Sequence, residues 1–273
     1  MDFKLRTPNS ELRTIFQRKS SFDEILLQLT GARLSAQPVS LRKVLFWGER
    51  TGEISSYVAG WLAGQGIDVI VLDGANRFDP YMASSFARKV FISPERLLKR
   101  IRIARAFTCY QMATLIGEKL IALVRAIYES PLQKPWVILL GPISTFLDED
   151  VPEREVRPLF ERSLKKIEEM ALRGVPFLLF QSNGFSKNPP FPPIAQGGRR
   201  RPEPDYGAGR VGGLRNSKRI YLARRLFQFS NVVWRIDLTE QGTNVVPEKV
   251  PQKFFCYPEL GSGSKTSEVH PSF

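Results

Sequence analysis

Short, continuous apolar runs alternate with longer amphipathic stretches through the first two thirds of the chain. Val44–Trp47, Val69–Leu72, Ile101–Ala106, Val137–Leu140 and Val175–Phe180 have the length and composition of strands. Between them, Ile54–Ala63, Pro80–Arg88, Gln111–Glu129 and Glu155–Arg173 carry apolar residues at helical spacing. In the third of these, Leu115, Ile116, Leu120, Leu123, Val124 and Ile127 share one side. Strands without polar alternation are covered on both faces. The pattern therefore predicts an α/β fold: a mostly parallel central sheet with helices on both faces. Two further runs, Arg219–Ala223 and Asn231–Leu238, predict strands and an antiparallel hairpin at the C-terminal end.

The flanks read differently. Residues 1–40 form an N-terminal extension with one amphipathic helix, Ser21–Leu29, whose Phe22, Ile25, Leu26 and Leu29 share a face. Two placements are open for it: docking on a partner subunit, or covering its own domain. The core spans 41–260, and residues 261–273 read as a flexible tail. Within the core, residues 184–218 are rich in Gly, Pro and Arg and have no periodicity, which predicts a long loop. Loops of that length inside a domain are functional or disordered.

Charge sharpens this picture. The net charge is +13, and residues 187–225 carry ten basic residues against Glu203 and Asp205, a net of +8. More than half of the excess thus lies in one seventh of the chain, a density that attracts polyanions. The only histidine is His270, in the last four residues. Ser-His-Asp, Cys-His and histidine-ligated metal chemistries all need a histidine within the fold. Cys109 and Cys256 offer neither a disulfide framework nor a zinc spacing, so a cytoplasmic setting is expected. No apolar run reaches membrane-span length, and the N-terminus shows no signal-peptide core. No membrane role is expected, because the basic stretch lacks an amphipathic helical period.

The turn after the first strand is Gly48-Glu-Arg-Thr-Gly-Glu-Ile-Ser55. Its strand–turn–helix setting is that of a phosphate-binding loop, G-x-x-x-x-G-K-[ST]. A working loop curls backbone N–H groups around phosphate, neutralises it with lysine and ligates magnesium through the hydroxyl. Here Gly48 and Gly52 are one residue too close, Glu53 stands at the lysine position and Ile54 at the hydroxyl position.

An ordered set of stretches resembles the RecA-like recombinases, in particular the eukaryotic and archaeal recombinases and their paralogues, over about residues 40–240. After the degenerate loop comes VIVLDGANRFDP, Val69–Pro80, where Asp73, Phe78 and Pro80 fall in register with the family's D-T-E-G-T-F-R-P. Ala104-Arg-Ala-Phe-Thr108 is similar to the family's A-R-A-F-N/T. Trp136–Leu147 stands in the place of the Walker B strand, and Arg162–Asn183 in that of the helix and strand before the second DNA-binding loop. Gly212–Arg225 resembles the G-G…R-L-Y-L-R-K segment that follows.

The resemblance implies a RecA-like P-loop fold, and the departures from it concern chemistry. Glu53, Ala75 and Gly141 occupy the positions of the phosphate-binding lysine, the catalytic glutamate and the Walker B aspartate. These groups supply charge at the phosphates, polarise water and hold magnesium. The expectation is a pseudo-ATPase with no catalytic residues, no metal and no cofactor. By position in the family, Arg199, Arg200, Arg201, Arg210, Arg215, Lys218 and Arg219 would contact nucleic-acid phosphates, with Phe191 or Tyr206 stacking on bases. Single- or double-stranded DNA is the expected partner, in recombination or repair. A RecA-like recombinase, a repair polymerase or a second copy of the chain are further partners to consider. The alternative is a structural subunit paired with an active RecA-like ATPase or a DNA polymerase. Arg96, Lys99, Arg100, Arg102 and Arg105 either extend the basic surface or decorate an ordinary exposed face. Asp148, Glu149 and Asp150 read as a solvated acidic turn.

Overall fold

The computed structural model describes residues 42–128, 134–148, 150–182, 210–239 and 242–249. The elements are β1 (Lys43–Gly48), α1 (Thr51–Gly64), β2 (Val69–Asp73), α2 (Pro80–Lys89), α3 (Pro94–Leu98) and β3 (Ile101–Arg105). Next come α4 (Cys109–Thr114), a π-helical turn (Leu115–Lys119), α5 (Leu120–Tyr128), β4 (Trp136–Leu140) and a 3-10 turn (Ser144–Leu147). The chain continues through α6 (Glu153–Leu172), β5 (Phe177–Ser182), α7 (Arg210–Phe229), β6 (Val232–Thr239) and β7 (Gly242–Lys249).

One seven-stranded sheet runs in the order β3-β2-β4-β5-β1-β6-β7. All neighbours are parallel except β6 and β7, which form an antiparallel pair. The expected architecture is therefore present, including the C-terminal hairpin, although the hairpin pairs β6 with β7 rather than with Arg219–Ala223.

The period of two along each strand divides the core into two layers. Val44 and Phe46 of β1, Val69 and Val71 of β2, Ile138 of β4 and Leu178 and Phe180 of β5 pack with α1, α2 and α3. Leu45, Ile70, Leu72, Val137, Leu139, Phe177 and Leu179 face the other way, onto α4 to α7. Phe46 and Phe180 stack across the β1–β5 pair, with ring centroids 5.1 Å apart. Each such side chain moved fully from water contributes about 1.5–3 kcal/mol. Polar residues along the central strands would forfeit that on both faces, which explains the unbroken apolar runs.

The segment Arg219–Ala223 is helical, as part of α7. Leu222, Ala223, Leu226 and Phe229 are buried at helical spacing against α6 and the sheet. The alternating look of Arg-Ile-Tyr-Leu-Ala is local, and burial over the longer period decides the outcome. Because α7 starts at Arg210, the backbone of 210–218 also belongs to the helix rather than to the expected loop. The helix Ser21–Leu29, the loop residues 184–209 and the tail 261–273 lie outside the described residues.

Candidate nucleotide crevice and basic surface

The two helical layers meet the sheet at switch points, where neighbouring strands lead to helices on opposite faces. The helix after β1 lies on one face and those after β4 and β5 lie on the other. In such sheets ligands sit beyond the carboxyl ends of the strands where the chain changes face, here between β1 and β5 and between β2 and β4.

The β1 end is closed by backbone geometry. Gly48 has φ +138°, and a Cβ there would lie 2.0 Å from the Ile236 carbonyl oxygen of β6. Glu49 N–H donates to that same oxygen at 3.2 Å. Arg50 takes a left-handed φ of 50° and sits just before α1. Its guanidinium pairs with Glu53 in the first turn of α1. Glu53 therefore places a carboxylate at the positive end of the helix, an end that favours negative charge. Gly52 packs against Arg77, since a Cβ would lie 3.0 Å from the Arg77 Cβ and carbonyl oxygen.

The β2 end is organised by Asp73, which is fully buried. Its Oδ1 accepts from Ala75 N–H and Arg77 N–H, both at 3.2 Å. Its Oδ2 accepts from Phe78 N–H at 3.0 Å and lies 3.6 Å from Arg105 Nε. Asp73, Phe78 and Arg105, which sequence comparison drew from two separate stretches, thus meet at one point. Asp79 caps α2 by accepting from Tyr81 N–H, while its own N–H donates to Ser56 Oγ at 2.9 Å. The β2–α2 turn is thereby held across the first two turns of α1.

Gly141, at the end of β4, has φ +68° and lies against Ala75. A Cβ on Gly141 would fall 2.7 Å from Ala75 Cβ and 2.6 Å from Ser144 Oγ. Gly74 N–H donates to Leu140 O at 2.8 Å, closing the β2 and β4 ends on each other. Among the described residues no group of three or more His, Cys, Asp or Glu side chains is positioned to hold a metal ion.

The candidate DNA-contact residues divide. Arg199, Arg200 and Arg201 lie outside the described residues. Arg210 and Arg215 fall on the α7 backbone. Lys218 turns inward, and its Nζ donates to the carbonyls of Asp148 and Val151. Arg219 is half-buried, and burial lowers its pKa. Arg225 makes a two-pronged pair with Glu161, at 2.7 and 2.9 Å, while Arg224 is exposed. Of the earlier basic group, Lys99 pairs with Glu95, Arg100 with Asp68 and Arg105 with Asp73. Three of that group's five cations thus have an acidic partner.

Two networks carry no short sequence signature. Glu161 joins α6 to α7 by accepting from Tyr221 Oη and Arg225. Burial pushes its carboxyl up, but the hydrogen bonds from Arg225 and Tyr221 and the Arg225 charge outweigh this and leave the pKa lowered. Arg157 completes the cluster, 4.4 Å over the Tyr221 ring. At the sheet edge, Lys249 Nζ donates to the carbonyls of Phe227, Gln228 and Ser230, satisfying the end of α7. Such residues are visible beforehand only as unremarkable charges in amphipathic stretches, because their partners are set by the fold.

No protein-family model matches the chain, and no curated protein matches it significantly. No helix among the described residues is long and apolar enough to cross a membrane.

Proposed function

We propose that this chain is a RecA-like protein without ATPase activity that binds DNA, independently of ATP, as an accessory factor in recombination or repair. The observation that carries the reading is the register of β1 with β5. Gly48, which opens the degenerate loop, is paired with Ser182, the last residue of β5. β5, which precedes the basic segment in sequence, therefore ends at the β1–β5 switch point, the end of the sheet at which an α/β fold presents ligands. At that end Glu53, Ala75 and Gly141 offer neither a phosphate-binding lysine nor a magnesium-binding carboxylate pair. The arm supplies charge, and its glycines let the backbone lie close to a phosphate chain.

Binding on this reading is salt-sensitive and weak in sequence preference. Gel-shift titration of the full chain on single- and double-stranded DNA, with and without Mg-ATP, tests it. The expected result is equal affinity with and without nucleotide, a steep log–log salt slope, and weakening when Arg199, Arg200 and Arg201 are changed together to alanine. No binding at low salt, or full affinity in the triple variant, overturns it.

A structural subunit paired with an active RecA-like ATPase or a polymerase is the second reading. It is favoured by β3, an edge strand on which Ile103 is 41% exposed, followed by Phe107 at 65%. An edge left uncovered by the described residues, with apolar side chains on it, suits a protein partner. Co-purification with such a partner, with DNA affinity confined to the complex, would support it.

A further inference from the structure

At the opposite end of the sheet from the crevice, a cavity of about 460 Å³ opens beside α5, α6 and the starts of β4 and β5. Ile121, Val124, Met170 and Val175 give it an apolar floor, and Arg125, Lys134 and Arg173 stand around it. Lys134 Nζ donates to the Arg173 carbonyl, which holds two of these cationic residues together. Leu172, on the same turn, is 59% exposed. An apolar floor ringed by cations fits an occupant that is amphipathic and acidic.

The N-terminal extension contains such a segment. Ser21–Leu29 presents Phe22, Ile25, Leu26 and Leu29 on one helical face and carries Asp23 and Glu24 at its start. Ser21 with Glu24 three positions on is a capping-box signature, so this stretch is suited to start a helix. The point of attachment agrees. Arg42 Nη1 donates to the carbonyls of Ala171 and Leu172, at 2.9 and 3.0 Å. The extension thus leaves the core on the same α6 end that contributes Met170 and Arg173 to the cavity. Residues 31–41 between them can span roughly 36 Å when extended, ample for a return to the adjacent cavity.

We propose that Ser21–Leu29 docks in cis on this cavity, with its apolar face on the floor and Asp23, which flanks that face, toward the cations. The short tether raises the local concentration of the segment far above that of any free partner, which favours the same chain over a second copy.

Two measurements on the full chain test this. In the first, Leu26→Cys and Ile121→Cys are introduced together with Cys256→Ser, and the protein is oxidised mildly over a range of dilutions. An intrachain disulfide whose yield does not depend on dilution is expected. An interchain disulfide, or none, overturns docking in cis. In the second, hydrogen exchange of the amides of residues 22–29 is followed. Asp23→Lys should lower protection by about two- to threefold, as one partly solvated ion pair allows. Adding Arg125→Glu and Arg173→Glu should restore it. Protection that ignores the first reversal, or is not recovered by the second, overturns the proposed charge contact.

Discussion

Replacing Asp73 separates a structural role from a chemical one at a position that matches the recombinase pattern. Its carboxylate is fully buried and receives three backbone N–H groups, from Ala75, Arg77 and Phe78, with Arg105 Nε at 3.6 Å. Asp73→Ala removes the acceptor for all three. Each hydrogen bond to a charged group contributes about 1.5–3 kcal/mol, and a stranded buried donor costs about 1–3 kcal/mol. Water reaches Ala75 and Arg77 in part, since both are incompletely buried. The expected loss is therefore about 3–5 kcal/mol rather than the full sum.

Asp73→Asn gives the sharper comparison. Its oxygen still accepts from Ala75 and Arg77, but its amide nitrogen would meet Phe78 N–H and Arg105, donor against donor. A loss of about 2–3 kcal/mol is expected. In a domain of this size that lowers the melting temperature by roughly 4–12 °C. Urea denaturation followed by circular dichroism measures both variants, and an unchanged m-value would assign the effect to stability. If Asp73→Asn unfolds within about 0.5 kcal/mol of the wild type, the carboxylate does not organise the β2–α2 turn and the reasoning fails.

Gly48→Ala should cost about 4 kcal/mol or more, read as lost soluble yield or melting temperature, because its Cβ would meet the Ile236 carbonyl oxygen at 2.0 Å. Glu161→Gln should weaken the α6–α7 contact by about 0.5–1 kcal/mol near neutral pH, discounted for its partly solvated pair with Arg225. The folded pKa of Glu161 lies below its ordinary value, so its contribution is present above the usual carboxylate range and disappears as pH falls through the folded value. Wild-type and variant stabilities should converge on acidification, and a constant gap would exclude the pair as its source. Gly141→Asp, alone or with Glu53→Lys, should destabilise the fold and produce no Mg-ATP-dependent rise in melting temperature. A clear rise with nucleotide would contradict the steric closure of the crevice around Gly141.

Much of the sheet was legible from hydrophobic pattern because both its faces are covered. Val69–Leu72 and Val137–Leu140 had to be apolar to sit between two helical layers, and they fall on β2 and β4, whereas Ile101–Ala106 falls on β3, an edge strand whose Arg102 and Arg105 are exposed. The misreading of Arg219–Ala223 came from a window too short to separate periods of 2 and 3.6, since Leu226 and Phe229 complete the helical face. Strand β7 escaped notice because Pro247 and Glu248 dilute its apolar character. Both are tolerated on an edge strand, where one row of backbone groups needs no neighbour. The charged candidates were the least legible. Lys218 reads as a phosphate contact by position, yet its partners are carbonyls 70 and 67 residues earlier in the chain. No local pattern encodes such a pairing.

On the proposed reading, packing at the crevice ties its departures from the recombinase pattern to one another. Gly141 lies against Ala75, and a Cβ on Gly141 does not fit while the β2 and β4 ends remain in contact. Gly52 lies against Arg77, so the β2–α2 turn rests on the first turn of α1. Once the lysine and the aspartate are absent, on the proposed reading, there is no phosphate or metal to hold these loops apart. Main chain then packs into the space, and the buried Asp73 remains because that packed turn depends on its acceptors. The loss of nucleotide chemistry and the closing of the crevice are in this view one change. Restoring a single side chain meets steric resistance from its neighbour, so recovery of nucleotide binding would require the β2, β4 and β1 ends to be reopened together.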